Sequence, residues 1–252
     1  MTKLVLLGTS NAVPSEQQDS SHMILIGANR VVLIDVSTNP IIRLQRAKID
    51  PLSLTDVILT HFHPDHVSGV PILLLDSWLL GRKQPLNFYG LAATLDRVEK
   101  MMDLYGWQEW PGFFPVNFIR LPVQEMAPVL QSSDFNIFSS PVHHMVPNIG
   151  IRVEIPETGE SFAYSCDTEP CPEVVVLARG VDYLLHEATG AELGHSSPEG
   201  AGKIAAQAGV KCLMLIHYDL QHNNLSGLIA HAKEAFSGPV ELAKDFQVIE
   251  FK

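Results

Sequence analysis

The chain has 252 residues, of which 46% are hydrophobic and 18% are charged, a composition typical of a globular protein with one sizeable core. Its formal net charge of −11 argues against a generally basic nucleic-acid-binding surface, although bound cations would still allow a phosphate-bearing substrate. Three cysteines give no disulfide framework, and neither a signal peptide nor a bilayer-spanning apolar segment is evident, so we expect one cytoplasmic domain over residues 1–252.

The first third of the chain alternates short apolar runs with amphipathic segments. Short β-branched runs predict strands, and apolar residues at helical spacing predict helices. The predicted strands cover residues 3–8, 21–26, 30–36, 56–60 and 85–89, and the predicted helices cover residues 40–48, 67–80 and 92–105. Proline near the start of the first helix fits a helix beginning, and Gly81 is expected to end the second.

An aromatic segment follows at residues 106–118. Three prolines or glycines at positions 111, 112 and 115 argue against regular structure, so we expect a loop that carries much aromatic surface. It could pack on the core, form a homodimer interface, or cover the mouth of a site as a lid. The aromatic residues are Trp107, Trp110, Phe113, Phe114 and Phe118.

The rest of the chain repeats the pattern of strands followed by helices. Short apolar runs predict strands at residues 135–139, 149–155, 162–165, 183–186 and 213–217, and helices are predicted at residues 198–208 and 225–236. Strands followed by helices, twice over, predict an α/β (α+β) fold, a four-layer αββα sandwich with the binding loops at one edge of its sheets.

The densest chemical signal is the HxHxDH motif, which directly follows the predicted strand at residues 56–60. Three imidazoles and one carboxylate in six residues are ligands that suit zinc and its first-row neighbours better than calcium or magnesium. A loop at the end of a strand is also where binding groups are usually found. The four residues are His61, His63, Asp65 and His66.

HxHxDH after an apolar strand resembles the signature of the metallo-β-lactamase superfamily. Three later stretches complete the resemblance and point to its tRNase Z-like branch. His144 stands three residues before a proline and six before a glycine, Ser-Cys-Asp-Thr around Asp167 is similar to that branch's Ser-Gly-Asp-Thr, and His217 ends an apolar strand.

The resemblance implies two metal ions. His61, His63 and His144 would hold one, Asp65, His66 and His217 would hold the other, and Asp167 with a hydroxide would bridge them. Asp65 is counted both as a ligand and as a catalytic residue. Two Zn²⁺ are expected, with manganese or iron as alternatives, and His63 in place of glutamate separates the chain from redox flavo-diiron relatives.

Of three further residues that accompany these ligands, two have two interpretations each. Asp35 could support the metal loop from behind, as in the superfamily, or could cap a strand-end turn. His143 is interpreted as a bystander of His144. Cys166, which replaces the branch's glycine, could be a thiolate ligand, but its position beside Asp167 favours a buried structural cysteine.

Hydrolysis also needs a proton for the leaving oxygen. His-Glu-Ala-Thr at residues 186–189 and His-Ser-Ser at residues 195–197 resemble two tRNase Z motifs. The resemblance implies that His195 donates the proton and that Glu187 orients the His195 ring. Alternatively, His195 could cap the helix that starts near Ser197, and Glu187 could be a surface residue.

The resemblance therefore predicts a dinuclear phosphodiesterase that acts on RNA or on a smaller nucleotide. The sequence lacks the long Gly/Pro-rich arm with which tRNase Z grips tRNA, and the chain is acidic, so a smaller phosphodiester is a serious candidate. A lactone or thioester hydrolase with the same metal site, or a non-enzymatic metal-binding protein, are the competing hypotheses. No membrane partner is expected.

Overall fold

Seven strands form the first sheet of the computed structural model, which describes residues 2–219 and 225–252. With strands numbered in chain order, the sheet contains β1 (Thr2–Gly8), β2 (His22–Ile26), β3 (Val31–Ile34), β4 (Asp56–Ile58), β5 (Leu86–Leu91), β6 (Val116–Leu121) and β14 (Val248–Phe251). Their order across the sheet is β14-β1-β2-β3-β4-β5-β6. Pairing is antiparallel from β14 to β3 and parallel from β3 to β6.

The second sheet also has seven strands among the described residues. It contains β7 (Ala127–Gln131), β8 (Asn136–Val142), β9 (Asn148–Glu154), β10 (Ser161–Tyr164), β11 (Tyr183–Glu187), β12 (Cys212–Ile216) and β13 (Val240–Leu242). The order is β13-β12-β11-β10-β9-β8-β7, with parallel pairing from β13 to β10 and antiparallel pairing from β10 to β7.

Helices cover the outer face of each sheet. The first sheet is covered by α1 (Pro40–Arg46), α3 (Val70–Leu79) and α4 (Ala92–Asp103), and the second by α5 (Pro172–Leu177), α6 (Pro198–Ala208) and α7 (Leu225–Lys233). A further short helix, α2 (Pro64–Val67), lies within the HxHxDH stretch. No described helix is long and apolar enough to cross a bilayer.

Period-two alternation divides the buried side chains between layers. In β1, Leu4 and Leu6 face the second sheet, whereas Val5 and Leu7 face the helices. Because both faces of the central strands are covered, these strands consist almost entirely of apolar residues. The predicted four-layer αββα sandwich is confirmed, with one core between the sheets and one under each helical layer.

Several predicted boundaries were wrong for identifiable reasons. The helix predicted at residues 67–80 is two helices. Pro71 lies in the first turn of α3, and an added Cβ at Gly69 would be 2.6 Å from the carbonyl oxygen of Ser37. Helix α5 was missed, as were β7, β13 and β14. These three are edge strands, and their partly exposed faces weaken the apolar pattern.

The aromatic segment is only partly a loop. It contains a 3₁₀ turn at Trp107–Glu109, and β6 begins at Val116, so Phe118 lies on a strand. Trp110 stacks on Trp78 with ring centroids 5.3 Å apart, and the segment's other rings pack against the helical layer of the first sheet. The segment precedes β6, whereas the HxHxDH loop follows the parallel strand β4. Because β4, β5 and β6 are parallel, the segment lies at the amino ends of these strands and the HxHxDH loop lies at their carboxyl ends. The segment packs on the core there and cannot cover that loop.

Candidate metal centre

The motif residues converge because each follows the carboxyl end of a central strand. The HxHxDH loop follows β4, His144 follows β8, Asp167 follows β10, and His217 follows β12. Strands β10 to β12 are parallel, so their carboxyl ends meet at one edge of the second sheet. Packing of the two sheets then brings this edge against the loop after β4.

The seven side chains form two groups that share one residue. The first group is His61, His63, His144 and Asp167, and the second is Asp65, His66, Asp167 and His217. Within each group, each residue offers one potential ligand atom, and these atoms all lie within 4.8 Å of one another. Asp167 belongs to both groups, so its carboxylate lies between them.

In the first group, three imidazole nitrogens converge without a hydrogen-bonding explanation. Nδ1 of His63 is 3.0 Å from Nε2 of His61 and 3.1 Å from Nε2 of His144. A single proton can serve only one of these pairs well. Nitrogens bound to one tetrahedral zinc at 2.0–2.1 Å would be about 3.4 Å apart, so the spacing fits a cation after a small expansion.

The second group contains buried polar atoms that lack partners. Nε2 of His66 is 3.3 Å from Oδ2 of Asp65 and 3.6 Å from Oδ1 of Asp167, and Nε2 of His217 is 3.4 Å from Oδ2 of Asp167. Among the described residues, neither Nε2 of His66 nor Oδ1 of Asp167 has a hydrogen bond. Because an unpaired buried polar atom is costly, a cation fits this donor set.

In the loop after β4, hydrogen bonds to Nδ1 of the His61 and His66 rings determine that Nε2 of each ring faces the ligand groups. Thr60 donates its hydroxyl proton to Asp35, so its oxygen can only accept from Nδ1 of His61, at 3.1 Å. The Asp35 carboxylate likewise accepts from Nδ1 of His66, at 2.8 Å. Both Nε2 atoms are then free to bind a cation. Asp35 thus supports the loop, and it also accepts the backbone N–H of Thr60.

The second sheet uses the same device. The carbonyl oxygen of Gly194 accepts from Nδ1 of His144 at 2.7 Å. The hydroxyl of Thr189 donates to the carbonyl oxygen of His217 at 2.8 Å, so it accepts from Nδ1 of His217 at 2.9 Å. Four of the five imidazoles therefore present a free Nε2, and His63 presents Nδ1 instead.

The electrostatics of the site also favour bound positive charge. Burial opposes ionisation of Asp65, but a positive charge at His66 and a hydrogen bond to His217 outweigh it and hold the pKa of Asp65 well below its usual range. Burial also opposes the charge of His66, but the carboxylates of Asp167, Asp35 and Asp65 raise its pKa, and a bound cation would replace its Nε2 proton. Burial likewise opposes ionisation of Asp167, yet the charges of His217 and His66 lower its pKa strongly. Burial lowers the pKa of His61, which keeps it in the neutral form that binds metals.

His195 and Glu187 form a pair beside both groups. Glu187 is fully buried and accepts Nδ1–H of His195 at 3.0 Å and the backbone N–H groups of Thr168 and Thr189. Burial opposes the charged imidazolium, but the hydrogen bond and charge of Glu187 raise the pKa of His195. The His195 ring lies 5.0 Å from that of His144 and 6.0 Å from that of His217, measured between centroids.

The backbone is strained at three of these positions. Asp35, Cys166 and His217 adopt φ values of 60°, 55° and 54°, in the left-handed region that side chains other than glycine's rarely occupy. Such residues cluster at functional sites, where the surrounding structure holds them in place. The Cys166 value explains why the similar motif has glycine there.

The two remaining uncertain residues lie outside the two groups. His143 is next to His144, but its ring pairs with Glu173 at 3.4 Å. The Cys166 thiol is fully buried, 3.7 Å from Nδ1 of His61, on the side of that ring which faces away from the group. Burial raises the pKa of this thiol, so it stays protonated.

Sequence reasoning missed the residues that orient the imidazoles. Thr60 and Gly194 give no signal on their own, because their contacts are with residues distant in the fold or are made by the backbone. Thr189 had one signal, since it is the last residue of the His-Glu-Ala-Thr stretch, but its bond to His217 depends on the pairing of β11 with β12.

A cavity of about 510 Å³ opens beside His144. It shares His144 with the first group and Gly194 with the His195 loop, so its contents would lie near His195. Its lining is Val142, His143, His144, Met145, Val146, Pro147, Glu169, Leu193 and Gly194.

Comparison with known proteins places the chain in a family. The sequence profile of the "Beta-lactamase superfamily domain" matches residues 30–218. A curated relative, "Ribonuclease Z" of Methanothermobacter thermautotrophicus, is 27% identical over 308 aligned positions that cover 100% of this chain and 97% of the relative.

Solved structures show the same fold. The "metallo-beta-lactamase fold protein YhfI" of Bacillus subtilis superposes with a TM-score of 0.82 at 22% identity, covering 98% of each chain. The human tRNase Z, short form, superposes with a TM-score of 0.78 at 24% identity, covering 99% of each chain. The chain therefore belongs to the beta-lactamase superfamily and has the metallo-β-lactamase fold.

Proposed function

We propose that the protein is a metal-dependent phosphodiesterase of the ribonuclease Z type, with two metal ions. The observation that carries the proposal is the placement of the Glu187–His195 pair beside two ligand groups that share Asp167. A curated relative named "Ribonuclease Z" aligns over the full chain, which supports the same activity here.

The ligand sets are part of the proposal. His61, His63 and His144 would hold one ion, Asp65, His66 and His217 the other, and Asp167 both. Zinc is the expected ion, because imidazole and carboxylate donors suit it, and manganese or iron are the alternatives. Bound ions would lower the pKa of a water molecule and offset the charge of a phosphodiester.

The chain's own residues then supply orientation and the proton. Glu187 holds Nδ1–H of His195, so Nε2–H is the proton that His195 offers to the leaving oxygen. The raised pKa of His195 keeps the donor form populated near neutral pH. The adjacent cavity of about 510 Å³ has room for a nucleoside-sized leaving group.

The substrate is RNA or a smaller phosphodiester. The alignment with the archaeal ribonuclease Z spans 308 positions, more than this 252-residue chain can fill. Between His144 and Glu187, the described strands and α5 are joined by short connections, such as the six residues between β9 and β10. This favours a smaller substrate as the second candidate, because an arm that could hold the body of a tRNA is not found in this part of the chain.

The decisive experiment is hydrolysis of an RNA phosphodiester, whose poor alkoxide leaving group needs a proton, by wild type and by His195→Ala. The variant should lose about 10²–10⁴-fold in rate while keeping its metal content, because only the proton donor is removed. His231→Ala changes an exposed histidine on α7 and is the matched control. Full turnover by His195→Ala would remove the acid assignment.

Substrate class is tested in the same assay. Precursor tRNA and cyclic nucleotides should be compared at equal enzyme concentration, with metal content measured on the same sample. Turnover of lactones or thioesters without turnover of any phosphodiester would instead assign the site to a different hydrolase class. Inertness of the metal-loaded protein toward all of these would favour a non-enzymatic role.

We also propose a cytoplasmic location, in keeping with three free, buried cysteines.

A further inference from the structure

A third set of potential metal ligands lies next to the centre but shares no residue with it. His143 follows β8, Cys171 directly precedes α5, and Glu173 is in the first turn of α5. Nε2 of His143 is 3.4 Å from Oε2 of Glu173, and the three donor atoms all lie within 4.8 Å of one another. Residues from two separate loops therefore bring one imidazole, one thiol and one carboxylate together.

Hydrogen bonding accounts for this arrangement only in part, because Cys171 makes hydrogen-bonding contacts with Thr168 and Glu173 but Oε2 of Glu173 keeps an unused lone pair. Oε2 of Glu173 is buried and makes no hydrogen bond to any described residue, although Nε2 of His143 is only 3.4 Å away. The two atoms are thus close, but their geometry is not that of a hydrogen bond. Two ligands of one metal ion have this relation, because each directs its lone pair at the ion and not at the other ligand. Sγ of Cys171 is 3.7 Å from the hydroxyl oxygen of Thr168, at most a weak contact.

The donor set fits zinc better than other common ions. Thiolate, imidazole and carboxylate are all zinc ligands, whereas calcium and magnesium prefer oxygen alone. The 3.4 Å between Nε2 and Oε2 is close to the edge of about 3.3–3.4 Å expected for a tetrahedron with bonds of 2.0–2.1 Å. The His143 side chain is 57% exposed, so an ion can reach the set from solvent.

We propose that His143, Cys171 and Glu173 bind a further zinc ion, separate from the two groups that share Asp167, with its fourth position open to solvent. This proposal does not depend on the proposed function. Burial raises the pKa of the Cys171 thiol, so the sulfur remains protonated until the ion displaces its proton.

An ion at this position would join two loops that carry residues of the main centre. The backbone N–H of His143 donates to the hydroxyl of Thr168, and that of Glu169 donates to the carbonyl oxygen of His143. Those bonds already join the loop that carries His144 to the loop that carries Asp167. An ion held by His143 from one loop and by Cys171 and Glu173 from the other would tie the two loops more firmly.

Cobalt substitution tests the site without reference to activity. In metal-free protein titrated with Co²⁺, one bound equivalent should give the near-ultraviolet sulfur-to-cobalt charge-transfer band of a thiolate ligand. Cys171→Ser should abolish that band and lower the uptake by about one equivalent, whatever the number of ions in the main centre. Absence of the band in the wild type, or its persistence in Cys171→Ser, would overturn the proposal.

Two further cysteine variants test whether the sulfur that gives the charge-transfer band is that of Cys171. Cys212→Ser changes another buried cysteine, remote from the set at the start of β12, and should keep the band. Cys166→Gly should keep it as well, because that thiol lies beside His61 and Gly suits the backbone at position 166. Loss of the band in Cys166→Gly alone would move the thiolate ligand into the main centre.

His143→Ala keeps the test valid if Cys171→Ser does not fold. Its side chain is more than half exposed, so its loss should not impair folding. The variant should bind the thiolate-linked cobalt at least tenfold more weakly, because it removes one of three protein ligands. Unchanged cobalt affinity in His143→Ala would contradict the proposed ligand set.

Discussion

The two sheets contribute to the centre in different ways. The first sheet supplies four of the seven proposed ligands from one stretch of six residues after β4. The second sheet supplies the other three proposed ligands, one from each of three loops that are separated by tens of residues. A short motif therefore forms one side of the centre, whereas the other side exists only when β8, β10 and β12 are correctly placed.

The supports differ in the same way. His61 and His66 rely on Thr60 and Asp35, which follow the ends of the adjacent parallel strands β4 and β3 and are joined by hydrogen bonds of 2.8–2.9 Å. His144 relies on the carbonyl of Gly194, fifty positions further along the chain. An added Cβ at Gly194 would lie 2.8 Å from Nδ1 of His144, so even that support requires a glycine. We expect metal binding to be most sensitive to changes in the residues that join the two sides.

The largest effect is expected for Asp167→Ala, because Asp167 belongs to both groups. Bound metal should fall from about two equivalents to well below one, and hydrolysis of bis(p-nitrophenyl) phosphate should fall to background. His63→Ala is the comparison, since it removes a ligand from one group only and should leave about one equivalent. Two tightly bound ions in Asp167→Ala, measured by elemental analysis, would show that the sides do not share this carboxylate.

A smaller effect is expected for Asp35→Asn, which keeps the shape of the side chain but removes its charge. Asp35 accepts from His66 and from Thr60, so metal affinity should fall by about 10–100-fold. Asp134→Asn is a matched control, because Asp134 is also a buried carboxylate that accepts backbone N–H bonds, at the far end of the β2–β3 hairpin. Equal metal affinity in the two variants, by competition with a chelator, would refute the role of Asp35.

Thr189→Val should have a weaker effect, confined to the second sheet's side of the centre. The hydroxyl that fixes the ring of His217 is lost without a large change in volume, so affinity for one of the two ions should fall by about tenfold. Thr189→Ser retains the hydroxyl and should retain the affinity. If Val and Ser variants bind metal alike, the hydrogen bond does not orient His217.

The smallest effect on the centre is expected from the aromatic segment at the opposite edge. Replacing both Trp107 and Trp110 by Ser should lower the free energy of unfolding by about 1–3 kcal/mol per residue, because the rings pack on the helical layer but stay partly exposed. Metal content should not change. A changed sedimentation coefficient would support the predicted homodimer, and a changed hydrolysis rate at constant metal content would revive the lid interpretation.

Much of the architecture was readable from the sequence. Central strands such as β1 and β12 are continuous apolar runs, because helices cover one face and the other sheet covers the second. The edge strands β7, β13 and β14 were missed for the opposite reason, since exposed positions interrupt their apolar pattern. Likewise, the sequence of residues 67–80 predicts one helix, and only the structure shows that the backbone of Gly69 packs closely against that of Ser37, where the chain separates two helices.

For the centre, the sequence by itself determined which residue types were available and where strands would end. HxHxDH was recognised by its density of ligands after an apolar strand, whereas His144, Asp167 and His217 were implied by their resemblance to tRNase Z-like motifs. Only the tertiary structure decided which nitrogen of each ring faces inward, through Thr60, Thr189 and Gly194. It alone brought His143 to Cys171 and Glu173, because contacts between separate loops depend on how the strands pair and leave no periodic trace in the chain.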